Sequence, residues 1–521
     1  MSLMVMFFRR NGLSILGIVV LISFYILQAS HLQAWLIDDA GISFSYARNL
    51  ALGNGLVSQP GFSPVEGFSN PAWVFLLAFF SRAGLDIAGM VKPLSVVLIT
   101  ISIIVLFLAF LRLSGSKFLS LVALAGLIAQ PAFIIWSVSG LENPLLVLLI
   151  VILFYVCLLS PTPVVAILAG IVSGLTAITR PDGILYMPIY AIYHPKYFKQ
   201  TLLPSIAIWG SYFVFRLIYY GQLLPNTYLI KAEGKLLNKY WLLTMWARLK
   251  SILLGLFGPK YLAAAIIAGL FVLLVLLFWK RRIDQRYLVA AAFLFVSFGS
   301  YLLLPIDWMG EFRFASPFFP FLYFFITLMT ADGISLLIKR KYGPGLAAGI
   351  LLLSWLVVLY FVSYKPRLEK FAENPTVSFY GIRAGFYHFT RYSSILNLDH
   401  SSVLLPDVGG SLYYYPEVRI FDLGGLIDAT IARTLGRDQA KFWDYIFDTI
   451  KPDFIHVHGG WTYTASLDDD PRFRRDYLAI FEYVDPAMVL VFGGEKYSGD
   501  YVRRSLVTTP EELAMLQAVE R

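Results

Sequence analysis

Apolar segments recur along most of this chain of 521 residues, from Leu13 to Val362. Most are close to 20 residues long, the length that an α-helix needs to cross about 30 Å of hydrocarbon at about 1.5 Å per residue. Inside a bilayer the backbone has to satisfy its hydrogen bonds internally, which helices do. A hydrophobic content of 58% and a charged content of 14% exclude an ordinary soluble protein. The sequence therefore predicts a polytopic α-helical membrane protein.

Length and hydropathy predict about eleven membrane spans. The sixth has the least support, because it is short and contains Pro188. The first is expected to be retained as a span, since it is long and no small-residue cleavage site follows it. The predicted spans are 13–34, 87–111, 118–138, 141–159, 163–178, 184–193, 201–220, 261–279, 287–304, 317–338 and 344–362.

Basic residues predict how these spans are oriented. If the N-terminus is cytoplasmic, the loops on that side hold thirteen Lys and Arg against a single acid, Asp284. This surplus exceeds the net charge of +9 for the whole chain. The basic balance thus reports membrane topology and gives no support for nucleic-acid binding. We expect a multi-pass protein of the cytoplasmic membrane, with a cytoplasmic N-terminus and an extracytoplasmic C-terminal domain.

The apolar spans stop after residue 364, which predicts two domains. Residues 1–364 are expected to form the transmembrane module, with a long first outer loop at 35–86. Residues 365–521 are expected to form a soluble extracytoplasmic α/β domain. Its short apolar runs predict strands at 402–405, 418–423, 453–458 and 488–492, and the spacing at 438–450 predicts a helix. Cys157 is the only cysteine and lies in an apolar run, so no disulfide framework is expected.

Two adjacent acids, Asp38 and Asp39, follow the first predicted span directly. One of them suits the cap of a helix that begins near Ala40, because Asp stabilises helix N-termini. Capping needs only one acid, however, and two neighbouring carboxylates repel each other. Ionisable residues at membrane level are functional by default. We therefore expect a catalytic or metal-binding role for at least one of the pair.

Other polar segments also fall on the predicted outer side, which is how a water-accessible cavity at a membrane surface would be built. Arg180 suits phosphate binding, since its planar guanidinium offers a fork of donors, although it also suits snorkelling to the interface. Glu142 suits the cap of the fourth span, and Lys231 and Arg313 suit ordinary surface charges. The outer residues are Glu66, Asn70, Glu142, Asn143, Arg180, Asp182, Asn226, Lys231, Asp307, Glu311 and Arg313.

Two histidines, His456 and His458, share one face of a predicted strand. A pair of histidines suits a metal ion, but no further ligands are evident around them. The pattern favours buried or hydrogen-bonded histidines over a metal site.

Several motifs recur in an order that resembles a known family. The first outer loop contains "DDAGISFSYARNLALGNGLV" and "PVEGFSNPAWVFLLA", followed along the chain by "SGLENPL", "TRPDG", "YYGQLLPNTYLIKA", "DWMGEFRF" and "PDVGGSLYYYPEVRIFDLGGLIDATIAR". This ordered set resembles GT-C glycosyltransferases, which use polyprenyl-phosphate sugars. It is most similar to the terminal arabinofuranosyltransferases of the mycobacterial cell wall. Ser45 and Asn54 stand where such proteins often carry Arg and His.

The resemblance implies an inverting transfer of a sugar from a polyprenyl-phosphate donor to an extracytoplasmic glycan, lipid or protein acceptor. It implies that Asp38 is the general base on the acceptor hydroxyl, with Asp39 beside it as a hydroxyl or divalent-cation contact. Arabinofuranose is the leading donor sugar, and a hexose or an aminoarabinose is the alternative. A polyprenyl-lipid transporter without chemistry is the rival outside this class. No cofactor is implied with certainty, and a divalent cation stays open.

The remaining outer residues complete the predicted site because they lie on the same side as the paired acids. Those expected to bind the donor or its phosphate are Arg180, Lys231, Arg313 and Asn226. Those expected to bind substrate or to supply a second acid are Glu66, Glu142, Asp182, Asp307 and Glu311.

Overall fold

The computed structural model of the chain describes residues 3–231, 241–280, 283–304, 308–338 and 343–520. The chain divides into two compact units. We call the first the membrane unit, and it comprises Met1–Ala34, Met90–Val214 and Gly234–Thr376. We call the second the sheet unit, and it comprises Trp35–Gly89, Phe215–Glu233 and Val377–Arg521. The sheet unit thus joins the first long loop to the C-terminal segment, and the domain boundary at 364 stays a prediction.

Helices account for the membrane unit. By length and composition, five helices among the described residues are long and apolar enough to cross a membrane, or six if one bent pair counts as a single span. Four further predicted spans form shorter apolar helices. The helices are Leu3–Ser30, Ile87–Ser114, Lys117–Ala129, Pro131–Ser137, Asn143–Cys157, Pro163–Thr179, Ile189–Tyr193, Phe198–Tyr220, Trp241–Phe257, Lys260–Trp279, Gln285–Leu303, Phe319–Ser335, Gly343–Leu359 and Lys365–Glu373.

Prolines explain where these helices depart from the predicted spans. The third span breaks before Pro131, and its two halves meet at 71°. The sixth prediction is wrong as a continuous helix, because a 3-10 turn at Pro181–Tyr186 is followed by only five helical residues, Ile189–Tyr193. Pro188 separates these two pieces.

Helix Trp241–Phe257 was not predicted. The count of eleven spans and the orientation of the termini stay predictions.

Small residues bring helices of the membrane unit into close contact. A Cβ added to Gly126 would lie 2.4 Å from the ring of Tyr323, and one added to Gly349 would lie 2.1 Å from the ring of Phe118. Aromatic rings fill the space between other helices, with Phe110 and Phe324 stacked at 4.2 Å. Packing of this kind holds helices together in lipid, where apolar side chains gain little from leaving the solvent.

The sheet unit combines helices with one mixed sheet. Two helices of the first loop, Asp38–Leu52 and Pro71–Arg82, pack on each other. The strands are β1 (Ser402–Leu405), β2 (Arg419–Asp422), β3 (Phe454–Val457), β4 (Tyr477–Val484) and β5 (Tyr497–Arg503). The other helices of this unit are Asn226–Lys231, Phe379–Ile395, Gly409–Tyr414, Ala429–Thr434, Gln439–Asp444, Gly460–Ala465, Pro471–Asp476, Pro486–Phe492 and Pro510–Gln517.

The strand order of the sheet is β2-β1-β3-β5-β4. Strands β2, β1 and β3 run parallel, whereas β5 is antiparallel to β3 and β4. The three parallel strands are short and almost wholly buried, as is typical of strands covered on both faces. Leu404, Ile455 and Tyr501 contribute to the main core of this unit, together with Phe442 and Ile446 from the helical segment that follows residue 438.

Three of the four predicted strands are confirmed as β1, β2 and β3. The predicted helix at 438–450 is also confirmed, as Gln439–Asp444 followed by a π-helical turn. The fourth predicted strand is wrong, because 488–492 lies in helix Pro486–Phe492. Asp485 caps this helix by accepting hydrogen bonds from two backbone amides, and Pro486 suits its first position. Strands β4 and β5 were not predicted.

Candidate active site

The carboxylate of Asp38 is fixed by the loop that follows β1. Its Oδ2 accepts a hydrogen bond from the backbone amide of Gly409 at 2.9 Å, and its Oδ1 accepts one from Gly410 at 2.7 Å. The backbone amide of Asp38 donates to the carbonyl of Val377 at 3.0 Å. The side chain is only 3% exposed. Asp38 therefore ties the start of the first loop to two segments of the C-terminal part of the sheet unit.

The backbone around Asp38 and the loop after β1 lie so close together that only glycine fits at several positions. A Cβ added to Gly409 would lie 1.8 Å from the carbonyl oxygen of Asp38, and one added to Gly410 would lie 2.3 Å from the carbonyl of Phe379. A Cβ on Gly41 would lie 2.3 Å from the carbonyl of Gly409. Real Cβ atoms do not approach backbone this closely, so side chains at these positions would displace the loop. The "PDVGG" segment thus forms a seat for Asp38.

The two adjacent acids occupy different environments. The helix begins at Asp38 itself, and its cap residue Ile37 makes no side-chain cap, so the interpretation of either acid as the cap is wrong. Burial raises the pKa of Asp38 well above its usual value, and the charges of Asp39 and Asp407 raise it further, whereas the two glycine amides lower it. Asp39 is half-buried. Of the pair, Asp39 is therefore the acid more accessible to a ligand.

Glu66 and Asn226 meet inside the sheet unit. Glu66 is 1% exposed and receives two hydrogen bonds from Arg216, at 2.5 Å from Nε and 3.2 Å from Nη2. The backbone amide of Asn226 donates to the carbonyl of Glu66 at 3.0 Å. The side-chain amide of Asn226 donates to the carbonyls of Gly425 and Leu426, at 2.6 and 3.1 Å. Both predicted residues thus hold three segments of this unit together.

A second group of predicted residues meets inside the membrane unit. Arg180 is 3% exposed and forms a two-pronged ion pair with Asp182, at 2.5 and 2.6 Å. Ser300 donates to the same carboxylate at 2.6 Å. The guanidinium groups of Arg180 and Arg313 lie 5.2 and 5.1 Å from the ring of Phe314. We call this group, together with Glu142 and Asn143, the arginine cluster.

Glu142 completes the arginine cluster. It is 2% exposed, and one of its oxygens lies 3.9 Å from Nη2 of Arg313. The side chain of Asn143 donates to the carbonyl of Arg313 at 3.1 Å and to Ser316 at 2.9 Å. Two cations thus face two anions. The Nη1 of Arg180 is buried and has no hydrogen-bond partner among the described residues, so it retains a donor for a ligand.

The remaining predicted residues lie apart from these groups or outside the described residues. Glu311 pairs with Arg367 at 2.7 Å and is not part of the arginine cluster. The side chain of Lys231 and the whole of Asp307 lie outside the described residues. Within the described ranges, no three His, Cys, Asp or Glu side chains are arranged to hold a metal ion.

His456 of β3 and His458, which directly follows β3, are hydrogen-bonded, as their pattern predicted. Nδ1 of His456 lies 2.6 Å from Oδ1 of Asp500, and Nε2 of His458 lies 2.9 Å from Oδ2 of Asp407. Oδ2 of Asp500 also lies 3.1 Å from Nε2 of His388. These contacts hold the pKa of the buried Asp500 carboxyl below its usual value, against the effect of burial.

Comparison with solved structures identifies the fold. The chain superposes on ArnT from Cupriavidus metallidurans bound to undecaprenyl phosphate with a TM-score of 0.54 and 12% identity, covering 96% of this chain and 99% of that one. It superposes on the oligosaccharyltransferase AglB from Archaeoglobus fulgidus, in complex with an inhibitory peptide and a dolichol-phosphate, with a TM-score of 0.53 and 10% identity. That match covers 94% of this chain and 74% of the other. The chain has a GT-C fold.

No protein-family model matches the chain. No curated protein matches its sequence. At identities of 10–12% the structural likeness establishes the fold, and the activity has to be argued from the side chains.

Three functional candidates escaped the sequence reasoning. Arg216 lies within a predicted span, where any ionisable residue is a signal of function or of a specific partner. Asp407 and the two glycines at 409 and 410 were visible only as part of a longer motif. The two glycines are important because they contact Asp38 across roughly 370 positions of the sequence, which no local pattern reveals.

Proposed function

We propose that the protein is an inverting glycosyltransferase, which moves a sugar from a polyprenyl-phosphate donor to a hydroxyl acceptor outside the cytoplasmic membrane. The observation that carries this proposal is the pair of acids at the start of the first loop of a GT-C fold, one of them seated on two glycine amides. Such seating holds the neighbouring acid in a fixed position, as acid–base catalysis requires.

In this proposal Asp39 is the general base and Asp38 is the residue that positions it. Both oxygens of Asp38 already accept hydrogen bonds, and its side chain is almost fully buried. Asp39 is half-buried, which leaves it able to meet a substrate. It would accept the proton of the acceptor hydroxyl while that oxygen attacks the anomeric carbon. The resemblance assigned the base to Asp38, and the geometry favours exchanging the two roles.

The leaving group is a lipid phosphate, which departs without a strong general acid. Its developing charge needs cations, and a guanidinium suits phosphate because it donates two parallel hydrogen bonds. We assign this role to Arg180 and Arg313. Asp182 and Glu142 hold the two arginines, and the Nη1 donor of Arg180 is available to a phosphate oxygen. Lys231 is a further candidate cation for the same role.

A single displacement of this kind inverts the anomeric centre and forms no covalent bond between sugar and enzyme. Arabinofuranose is our proposed donor sugar, with a hexose or an aminoarabinose as the alternative. The acceptor is a hydroxyl of a glycan, lipid or protein. The proposed reaction requires an N-terminus on the cytoplasmic side, so that the paired acids face the outer side, where such acceptors lie.

The test is release of polyprenyl phosphate by the purified wild-type protein. The protein is given a panel of polyprenyl-phosphate sugars that carry arabinofuranose, aminoarabinose or mannose, with a membrane extract as the source of acceptors. We expect one donor to be consumed, with an equal amount of polyprenyl phosphate released. Arg180→Lys, which loses the planar fork, is expected to raise the KM for that donor roughly 10- to 100-fold. Binding of the lipids without consumption of any of them would refute the proposal and support a lipid-handling protein.

A further inference from the structure

The strand order of the sheet creates a topological switch point at the carboxyl ends of β1 and β3. In the order β2-β1-β3 the chain leaves β1 towards one side and returns to its other side for β3. The connections after β1 and β3 therefore diverge. In open α/β sheets, ligands bind in the crevice outside the carboxyl ends of the strands at such a switch point. The expected place for a ligand in this unit is thus beyond Leu405 of β1 and Val457 of β3.

Two polar side chains face each other across this switch point. Asp407 lies two residues beyond β1, and His458 directly follows β3. Their side chains join at 2.9 Å, between Oδ2 of Asp407 and Nε2 of His458. They are 20% and 38% exposed, so water reaches both. Nδ1 of His458 has no hydrogen-bond partner in the part of the chain that the structure describes.

The seat of Asp38 lies beyond the same end of β1. Doubly wound proteins commonly hold a ligand anion on backbone amides that follow the first strand. Here the amides that follow β1, those of Gly409 and Gly410, hold the protein's own carboxylate instead. Asp407 is two residues from Gly409, and its charge acts on Asp38. The pair of Asp407 and His458 thus borders the acids of the proposed reaction.

We propose that Asp407 and His458 bind the acceptor, and that they hold hydroxyl groups of a sugar ring beside Asp39. This inference rests on the proposed function. A carboxylate oxygen accepts from one hydroxyl, and the imidazole Nδ1 accepts from or donates to a second, according to its tautomer. A sugar offers neighbouring hydroxyls that both donate and accept. The subsite therefore favours a carbohydrate acceptor over an amine or an aliphatic alcohol.

The test separates acceptor binding from donor binding. Wild type, His458→Ala and His458→Gln are assayed with the donor that the wild type consumes, and with a panel of octyl glycosides as acceptors. His458→Ala removes the imidazole that is proposed to hydrogen-bond the acceptor and that pairs with Asp407. We therefore expect this variant to raise the KM for the acceptor roughly 10- to 100-fold and to leave the KM for the donor unchanged. His458→Gln retains a polar tip and is expected to recover part of this loss. His400→Gln, an exposed histidine in the same unit, is the matched control.

The outcomes are distinct. An acceptor KM in His458→Ala equal to that of the wild type would overturn the inference. If the melting temperature of that variant also fell, the contact between Asp407 and His458 would be a purely structural link between the segments that follow β1 and β3. Donor consumption by the wild type without transfer to any octyl glycoside would also overturn it, because the acceptor would then not be a simple sugar hydroxyl. No consumption of any donor would refute the proposed function instead.

Discussion

Replacing Asp38 by alanine tests whether this carboxylate holds the sheet unit together. The substitution removes the acceptor of two backbone amides, those of Gly409 and Gly410. Both glycines are buried, and a Cβ-sized group has no room beside them, so neither amide gains a new partner easily. Asp38→Asn is the intermediate case, since it keeps one acceptor oxygen and places an NH₂ group where the second oxygen was.

The expected magnitude follows from these two hydrogen bonds. A buried donor left without a partner costs about 1 to 3 kcal/mol, so two amides cost about 2 to 6 kcal/mol. Removing a carboxylate that burial disfavours offsets part of this loss. We expect a net decrease of about 2 to 4 kcal/mol in the free energy of unfolding. In a unit of roughly 220 residues this lowers the melting temperature by at least about 4 °C.

The assay is thermal unfolding of the purified full chain in detergent, followed by tryptophan fluorescence. Asp399→Ala is the matched control, because Asp399 is an exposed acid of the same unit. We expect the melting temperature to fall in the order wild type, Asp38→Asn, Asp38→Ala, with Asp399→Ala close to wild type. A neutral surface substitution is expected to change the melting temperature by roughly 1 °C or less. A change of that size in Asp38→Ala would refute the claim that the Asp38 carboxylate stabilises the sheet unit through the two glycine amides.

Three further predictions concern the same unit. Gly409→Ala is expected to unfold the seat and to abolish expression of folded protein, measured by size exclusion, because its Cβ would lie 1.8 Å from the carbonyl oxygen of Asp38; Gly385→Ala, at a helical position of the same unit with open space for a Cβ, is the comparison. Arg216→Met leaves the buried Glu66 without its ion pair, and the melting curve is expected to show a loss of about 3 to 5 kcal/mol; stability equal to wild type would contradict this. Burial raises the pKa of Asp422 to about 7, so the contribution of this group to stability is fully present below its unfolded pKa of about 4 and is lost as the pH rises through 7; Asp422→Asn is expected to change the slope of melting temperature against pH over this window, and an unchanged slope would count against it.

The helical membrane fold was predictable from the sequence because bilayer thickness fixes the length of apolar segments. Errors occurred where local chemistry outweighs hydropathy. Pro188 interrupts the sixth predicted span. In 488–492 the composition suits a strand, but the cap at Asp485 and the proline after it begin a helix. In such short segments a few capping contacts decide between helix and strand.

The candidate site was only partly predictable. Arg180 and Asp182 were both selected because they lie in one short motif, but their ion pair was not predicted. The seat of Asp38 depends on residues far along the chain, and sequence order alone did not show which acid is seated and which is accessible. The pairing of Asp407 with His458 likewise depends on strand order, which hydrophobic patterns do not reveal.

In the proposed reaction, Asp39 removes the proton of the acceptor during sugar transfer. The most direct measurement is the rate of polyprenyl-phosphate release in Asp39→Asn compared with Asp399→Asn, an exposed acid of the same unit. We expect kcat to fall by roughly 100- to 10,000-fold in Asp39→Asn, with an unchanged donor KM, and we expect Asp399→Asn to retain the wild-type rate. A wild-type rate in Asp39→Asn would show that Asp39 is not the general base.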